Sequence, residues 1–404
     1  MENIKDLSSS GFDPMSPLDG LDGDGVDQVI SGISEVTSGL PYESYVSIPK
    51  LEATPMLHVL DCLSKLAASL SGKNVYLYAT ADWVYVKYDN SAYQLVYRFV
   101  NSSGKTLRGF SIPIVHLKKL FGNVVAHLVL VSQDASSGSG QPGLYAYFSG
   151  NLVYVETQSF DASVYDFQYE EMTDKLDGDH IRQNLLTFSS LLAYSERTSE
   201  RQLITRDGYS YINIGSILGR VKSFFGPHDC ILSRILVDVV STLASTNDGD
   251  ISACFSEDHM SMDFGGFHYL RFAYTSGEAV SRFMSPLFKS AFLYDSSVLV
   301  EDGAFRQLLT VIGSLDYFTD TVRVDFNPGN FVVTAHRKDG EDAKYTFLYK
   351  EGLSSGGAIV VSIPVLLGVL SKSTANTKYS CSSSSLVVDL GDAVYCVRSV
   401  LMQQ

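Results

Sequence analysis

Beyond about residue 42 the chain alternates between two hydrophobic periods. Met56, Leu57, Leu60, Leu63, Leu66 and Leu70 recur at spacings of three and four, which places them on one face of a helix running from near Thr54 to Leu70. Pro55 is expected in the first turn of that helix, where a missing N–H is tolerated. Period-two stretches at Val75-Tyr76-Leu77-Tyr78 and Trp83-Val84-Tyr85-Val86-Lys87-Tyr88 read as strands. A second helix is expected within Phe110–Leu120, and strands return at 144–148 and 152–155.

The same phrase recurs downstream. Ser111-Ile112-Pro113 followed by an apolar helical run reappears as Ser362-Ile363-Pro364 before Val365–Leu370, with a weaker version in Cys230–Val240. Pro113, Ser233 and Pro364 stand 120 and 131 residues apart, close to one domain length. Each copy also has a first helix, at 54–70, about 184–196 and 304–315. The pattern predicts an α+β chain of three tandem domains, 43–168, 180–290 and 296–404, each built from two helix-plus-antiparallel-strands units.

Residues 1–42 differ in kind. Runs such as Ser8-Ser9-Ser10-Gly11 and Asp19-Gly20-Leu21-Asp22-Gly23-Asp24-Gly25 are turn formers and acids with little to bury, which predicts a flexible acidic arm. Read as a calcium loop from Asp22, the spacing gives Asp24 and Val26 but puts Ile33 at the twelfth position, where a bidentate Glu is required. No metal site and no cofactor is expected.

Charge narrows the function further. A net charge of -15 excludes a protein that holds nucleic acid by its overall field, so any DNA-facing surface is local. The five cysteines, Cys62, Cys230, Cys254, Cys381 and Cys396, are scattered without a C-x-x-C pair, so reduced buried thiols are expected in place of zinc or disulfides. No apolar run reaches the ~20 residues of a membrane span, and Met1-Glu2-Asn3 does not begin a signal peptide. An intracellular, cytoplasmic protein is the expectation.

With order, spacing and count of elements in place, the sequence resembles the bacterial β sliding clamps, clearly from about residue 180 to the end and more faintly over 43–168. Leu203-Ile204-Thr205-Arg206-Asp207-Gly208-Tyr209-Ser210-Tyr211 resembles that family's strand ending in Thr-Asp-Gly-His-Arg-Leu, with only Asp-Gly in register. The elements from Cys230 to Tyr274 follow the family's order of helix, strand, strand, strand. In the last repeat, 305–309, 322–326, 331–335 and 395–402 resemble the clamp's final module. Divergence of this degree suits a phage-encoded clamp.

The resemblance implies a head-to-tail homodimer, six domains closing a ring with helices lining the hole and sheets outside. Such a ring encircles double-stranded DNA without reading sequence, and tethers a DNA polymerase as its processivity factor. Candidate DNA contacts are the cations around the helices: Lys65, Lys118, Lys119, Lys222, Arg234, Arg306 and Lys372. A pocket for a short peptide of the polymerase or clamp loader is implied near Arg206, Gly208, Tyr209, Tyr211, Leu232, Val237, Cys396 and Arg398. Arg206, Tyr209 and Arg398 depart from the family's Thr, His and Met, giving a bulkier and more polar rim and a peptide with an acidic residue.

Enzymatic readings find little support. No H-E-x-x-H or phosphate-binding G-x-x-x-x-G-K-[ST] occurs. Gly352-Leu353-Ser354-Ser355-Gly356 fits a nucleophile elbow by letter, but a strand-like Ala358–Val361 follows where a helix is needed, so a hairpin loop is expected. His127 and His268 sit in strands and read as hydrogen-bonded structural residues. Two other readings stay open: a clamp-fold scaffold that does not encircle DNA, and a β-rich viral structural protein.

Overall fold

The computed structural model describes residues 44–400 apart from 68–73, 90, 91, 102, 125, 126, 134–142, 149, 150, 156, 160–168, 194–201, 247, 277–279, 281–290, 293–295, 301, 302, 315–317, 338–340, 353, 355, 382 and 383. The expected acidic arm, 1–42, lies outside the described residues, and so do the side chains of Lys65 and His127. Among the described residues six helices of eight or more residues stand out: α1 (Lys50–Ala67), α2 (Ile114–Gly122), α3 (Gly178–Ala193), α4 (Arg234–Ser245), α5 (Ala304–Gly313) and α6 (Ile363–Leu370). Each follows a strand, in order Ser44–Pro49, Leu107–Pro113, Asp174–Leu176, Cys230–Ser233, Val298–Leu299 and Gly357–Ser362.

The strand-to-helix step is written in the sequence three times, because Ser47-Ile48-Pro49 matches the other two Ser-Ile-Pro segments. Proline's fixed φ suits a helix start, and it pushes the residue before it toward extended backbone. The isoleucines, Ile48, Ile112 and Ile363, are fully or almost fully buried and anchor the corner.

That step corrects two expectations. α1 begins at Lys50 and not near Thr54, so Pro55 lies inside the helix, one turn further in than expected. The carbonyl left without its i+4 donor is that of Leu51, a residue 81% exposed and open to water. In the second case Phe110–Pro113 is the end of a strand, and the helix starts at Ile114. α3 likewise starts earlier than 184, at Gly178, with the Asp177 carboxylate accepting the His180 N–H at 3.0 Å as its cap.

The chain forms two compact units, Met1–Lys175 with Thr242–Ala273, and Leu176–Ser241 with Tyr274–Gln404. Each holds one large and one small antiparallel sheet. In the first unit a four-stranded sheet runs Ser44–Pro49, His127–Gln133, Gly143–Phe148, Asn151–Val155. Its nine-stranded sheet runs Asp174–Leu176, Ile251–Phe255, His259–Phe264, His268–Ala273, Tyr93–Val100, Trp83–Asp89, Asn74–Ala79, Leu107–Pro113, Gln158–Ser159.

The second unit repeats the plan. Its ten-stranded sheet is ordered Thr275–Ser276, Cys230–Ser233, Gln202–Arg206, Tyr209–Ile214, Ile217–Lys222, Ala393–Arg398, Ser385–Asp389, Lys378–Cys381, Val298–Leu299, Glu351–Gly352. The small sheet is Asp342–Leu348, Asn330–Arg337, Phe318–Phe326, Gly357–Ser362. In both large sheets strands distant in sequence are fused: His268 pairs with Tyr97, and Gly219 with Tyr395. Compactness therefore follows the fused sheets and cuts across the repeat spacing.

Cores form where helix faces meet sheets. Met56, Val59, Leu60 and Leu63 of α1 are fully buried, and α1 packs against α2. In the second unit α6 packs against both α3 and α5. Burying side chains of this size stabilises by roughly 1.5–3 kcal/mol each.

Candidate nucleic-acid and peptide interfaces

The exposed helix faces are the surfaces on which a DNA contact was expected. On α1 the exposed positions are Lys50, Leu51, Thr54, His58 and Asp61, the last four a continuous stripe at spacings of three and four. On α2 they are Val115, His116 and Lys119, and on α3 Asp179, Gln183, Leu186 and Ser190. α4 exposes Ile235, and α5 exposes Gln307, Thr310 and Val311. These faces are nearly neutral and each carries a large aliphatic side chain.

Several candidate cations are engaged within the chain. Lys118 on α2 is paired with Asp61 on α1. Arg234 opens α4, with its Nε 3.7 Å from Asp238 one turn on. Asp238 also accepts a hydrogen bond from Ser189 of α3. Arg306 on α5 donates to the Ser371 carbonyl at 3.4 Å, just past α6. Lys119 is exposed on α2, and Lys372 is exposed in the turn after α6.

Lys222 is displaced from the expected set. It is exposed at the end of the strand Ile217–Lys222, and its carbonyl meets His180 Nε2 of α3 at 2.8 Å. There it lines an open cleft of about 730 Å³ together with Asp177, Asp179, His180, Gln183, Asp207, Gly208, Tyr209, Gly391 and Asp392. Gly208 and Tyr209, expected in the peptide pocket, therefore share a surface with a residue expected on DNA.

The hairpin that presents Tyr209 is built for a tight turn. Asp207 and Gly208 have φ of 51° and 77°, the left-handed pair that a two-residue hairpin requires. The turn is held by Asp229, which accepts the Asp207 N–H at 3.2 Å, and by the Gly208 carbonyl, which accepts from Ser223 at 2.9 Å. Below it a buried hydroxyl pair, Thr205 and Ser210 at 2.9 Å, ties the two strands together.

Of the expected pocket residues, Tyr211 and Cys396 come together in one buried cluster with Leu218, Phe292, Val387 and Val394. Burial raises the pKa of the Tyr211 hydroxyl and of the Cys396 thiol, so both stay neutral. Tyr209, 44% exposed, stands at the edge of this cluster. Arg206 is partly exposed beside Asp207, with Nε to Oδ2 at 3.4 Å. Arg398 is partly exposed, and its backbone N–H donates to the Ser216 carbonyl at 2.6 Å.

Leu232 and Val237 do not line a surface. Both are fully buried, Leu232 paired with Leu203 inside the sheet and Val237 on the inner face of α4, so they support the site from below. Two residues that sequence reading missed complete it. Arg220 lies opposite Tyr211 across the ladder, and its guanidinium sits 5.1 Å from the Tyr209 ring and 4.8 Å from that of Phe292. Strand alternation placed Arg220 on the Tyr211 face once the register was known. Nothing local in the sequence pointed to Phe292.

The readings against catalysis can be checked in part. After Gly352, with φ of 93°, the chain enters the strand Gly357–Ser362 and no helix, so the elbow geometry is absent; Leu353 and Ser355 lie outside the described residues. His268 is 2% exposed and stacked on Tyr97 at 4.7 Å. Contrary to the expectation of a hydrogen-bonded histidine, neither ring nitrogen has a partner among the described residues, and burial lowers its pKa to about 4. Among the described residues no three His, Cys, Asp or Glu side chains gather as metal ligands. The five cysteines form no disulfide with one another, and all but Cys254 are buried. No helix of the described residues is long and apolar enough to cross a membrane.

The fold has known counterparts. A DNA polymerase sliding clamp from Pseudomonas aeruginosa superposes with a TM-score of 0.65 over 89% of this chain and 100% of its own, at 16% identity. The Helicobacter pylori beta clamp bound to a DNA ligase peptide gives 0.66 over 88% and 99%, at 13% identity. A C. crescentus beta sliding clamp gives 0.66 over 88% and 99%, at 12% identity. No family model and no curated protein matches the sequence. The chain thus has the α+β sliding-clamp fold, as the resemblance implied, at a sequence distance where the fold alone carries over.

Proposed function

We propose that this protein is a processivity clamp: two copies close head to tail into a ring that encircles duplex DNA and tethers a polymerase, without catalysis of its own. The ring consists of three modules per chain, 43–168, 180–290 and 296–404. The observation that carries the reading is the pair of small sheets. The large sheets are fusions of strands distant in the chain, whereas the two small ones have four strands each, with one edge strand leading into a helix, Ser44–Pro49 and Gly357–Ser362, and the other, among the described strands, at Asn151–Val155 and Asp342–Leu348.

Open edges of this kind invite pairing with another chain. They carry exposed apolar side chains, Val153 at 39%, Tyr154 at 37% and Leu348 at 75%. Edge-to-edge pairing of one copy's first sheet with the other's last, repeated about a twofold axis, closes a ring.

On this reading DNA is held by topology more than by charge. Lys119 and Lys372 meet phosphates, while Lys118 and Arg234 are largely neutralised by their own acids. Tyr209, with Arg220 and the Tyr211–Phe292 cluster behind it, anchors an apolar residue of a partner peptide. The four aspartates of the adjoining cleft favour a basic flank on that peptide, in place of the acidic residue expected from Arg206 and Arg398.

Retention on DNA tests the proposal. Protein assembled on a nicked circle is expected to remain through a high-salt wash and to leave once the circle is cut. Equal retention on cut and uncut DNA excludes sliding off an end. A two-chain particle never retained on circles supports the non-encircling scaffold instead.

A further inference from the structure

The outer face of the nine-stranded sheet carries a cluster of exposed apolar side chains around Trp83, the chain's single tryptophan. Trp83 is the cross-strand partner of Val100, and Tyr85 that of Arg98, so all four project from one face. The Arg98 guanidinium lies over two rings, 4.6 Å from Trp83 and 5.0 Å from Tyr169. Its Nε donates to the Gly266 carbonyl at 2.7 Å, and its backbone N–H to Phe267 at 2.9 Å, which brings Phe267 to the same edge. Val100, Phe267 and Tyr169 are 59%, 42% and 41% exposed.

The arrangement repeats the one around Tyr209. There too a hairpin aromatic and a second tyrosine two residues on, Tyr209 and Tyr211, face an arginine of the next strand, Arg220, with a third ring, Phe292, supplied from further along the chain. In the Trp83 copy those roles fall to Trp83, Tyr85, Arg98 and Tyr169. The copies differ in cover: Phe292 is 5% exposed, whereas its counterpart Tyr169 is 41% exposed. Contiguous apolar surface held open on a rigid sheet is characteristic of recognition sites.

Charge around the patch is balanced. Arg98 lies near Asp263, whose carboxylate accepts the Gly266 N–H at 3.0 Å. Asp82 and Lys105 flank it together, both bonded through their carbonyls to Asn101. In a chain of net charge -15 this neutral apolar face fits an uncharged partner.

We infer that the Trp83 face is a second peptide-docking surface, taking a neutral extended peptide with large apolar side chains two residues apart. The inference rests on the peptide reading of the Tyr209 site, whose arrangement it repeats. Side chains at i and i+2 of an extended peptide lie on one side, about 7 Å apart, and can reach Trp83 and Phe267 together.

Trp83 supplies its own reporter. The full-length protein is titrated with acetyl-Gly-Phe-Ser-Leu-Gly-Lys(BODIPY)-amide, whose label is uncharged, following peptide anisotropy together with tryptophan emission of parallel samples that carry the same peptide acetylated at that lysine. The expected result is a saturable change in Trp83 emission that persists in Tyr209→Ala and weakens at least about tenfold in Phe267→Ser and in Val100→Ser. Those two residues are exposed, so their replacement leaves the fold intact.

Anisotropy that rises and is abolished by Tyr209→Ala, with Trp83 emission constant, overturns the second site and leaves the first standing. A Trp83 change with no effect of Tyr209→Ala on total binding keeps the second site and removes the first. Flat anisotropy and flat emission up to millimolar peptide overturn both.

Discussion

Lowering the pH should weaken the first unit through His268. The imidazole is 2% exposed, stacked on Tyr97, with no hydrogen-bond partner at either nitrogen among the described residues, and its pKa falls from 6.5 to about 4. Because the folded pKa is depressed, the unfolded chain binds the proton first. Stability is therefore intact above pH 6.5 and is lost progressively as pH falls toward 4.

The full loss amounts to about 3 kcal/mol, of which about 2 kcal/mol has gone by pH 5. His268→Phe keeps an aromatic ring on Tyr97 and removes the titration. Urea unfolding followed by Trp83 emission reports on the same sheet, in which Trp83–Asp89 lies two strands from His268–Ala273. The variant's stability relative to the natural protein should rise by about 2 kcal/mol between pH 7.5 and pH 5, whatever its packing cost at neutral pH. Parallel pH profiles for the two proteins would show that His268 takes up its proton without cost, and refute the reasoning.

Three further substitutions probe other elements. A Cβ on Gly219 would meet Ile212 Cγ1 at 2.8 Å and Tyr395 Cδ1 at 3.1 Å, so Gly219→Ala should cost roughly 1–3 kcal/mol in urea unfolding by overpacking the fused ladder. Gly208→Ala has open space but a φ of 77°, and should cost about 1 kcal/mol from backbone strain alone. Leu348→Glu places a charge on the proposed ring seam; sedimentation should show weakened self-association with unchanged circular dichroism, and unaltered mass would move the seam elsewhere.

How far the sequence was legible depends on the range of the signal. Local periodicity found the six helices, and Ser-Ile-Pro marked the strand-to-helix corner at Ser362, whereas at Ser111 the same residues were read as part of the helix. The third copy at Ser47 went unread, because a helix beginning at Lys50 puts Pro55 at an interior position where proline usually argues against helix. The Asp207-Gly208 turn was visible as a dipeptide with a backbone requirement. By contrast, the pairing of Lys118 with Asp61 joins residues 57 apart, and Phe292 reaches Tyr211 from 81 positions away. Composition at a helix face cannot show which cations are already neutralised, nor can spacing show which apolar residues fill a pocket.

The central claim is a closed ring of two chains. Negative-stain images of the purified protein at micromolar concentration test it most directly. The account predicts class averages of a closed ring with a central hole wide enough for duplex DNA and a twofold axis relating two chains. Solid particles of a single chain, or a larger assembly without that hole, would contradict it.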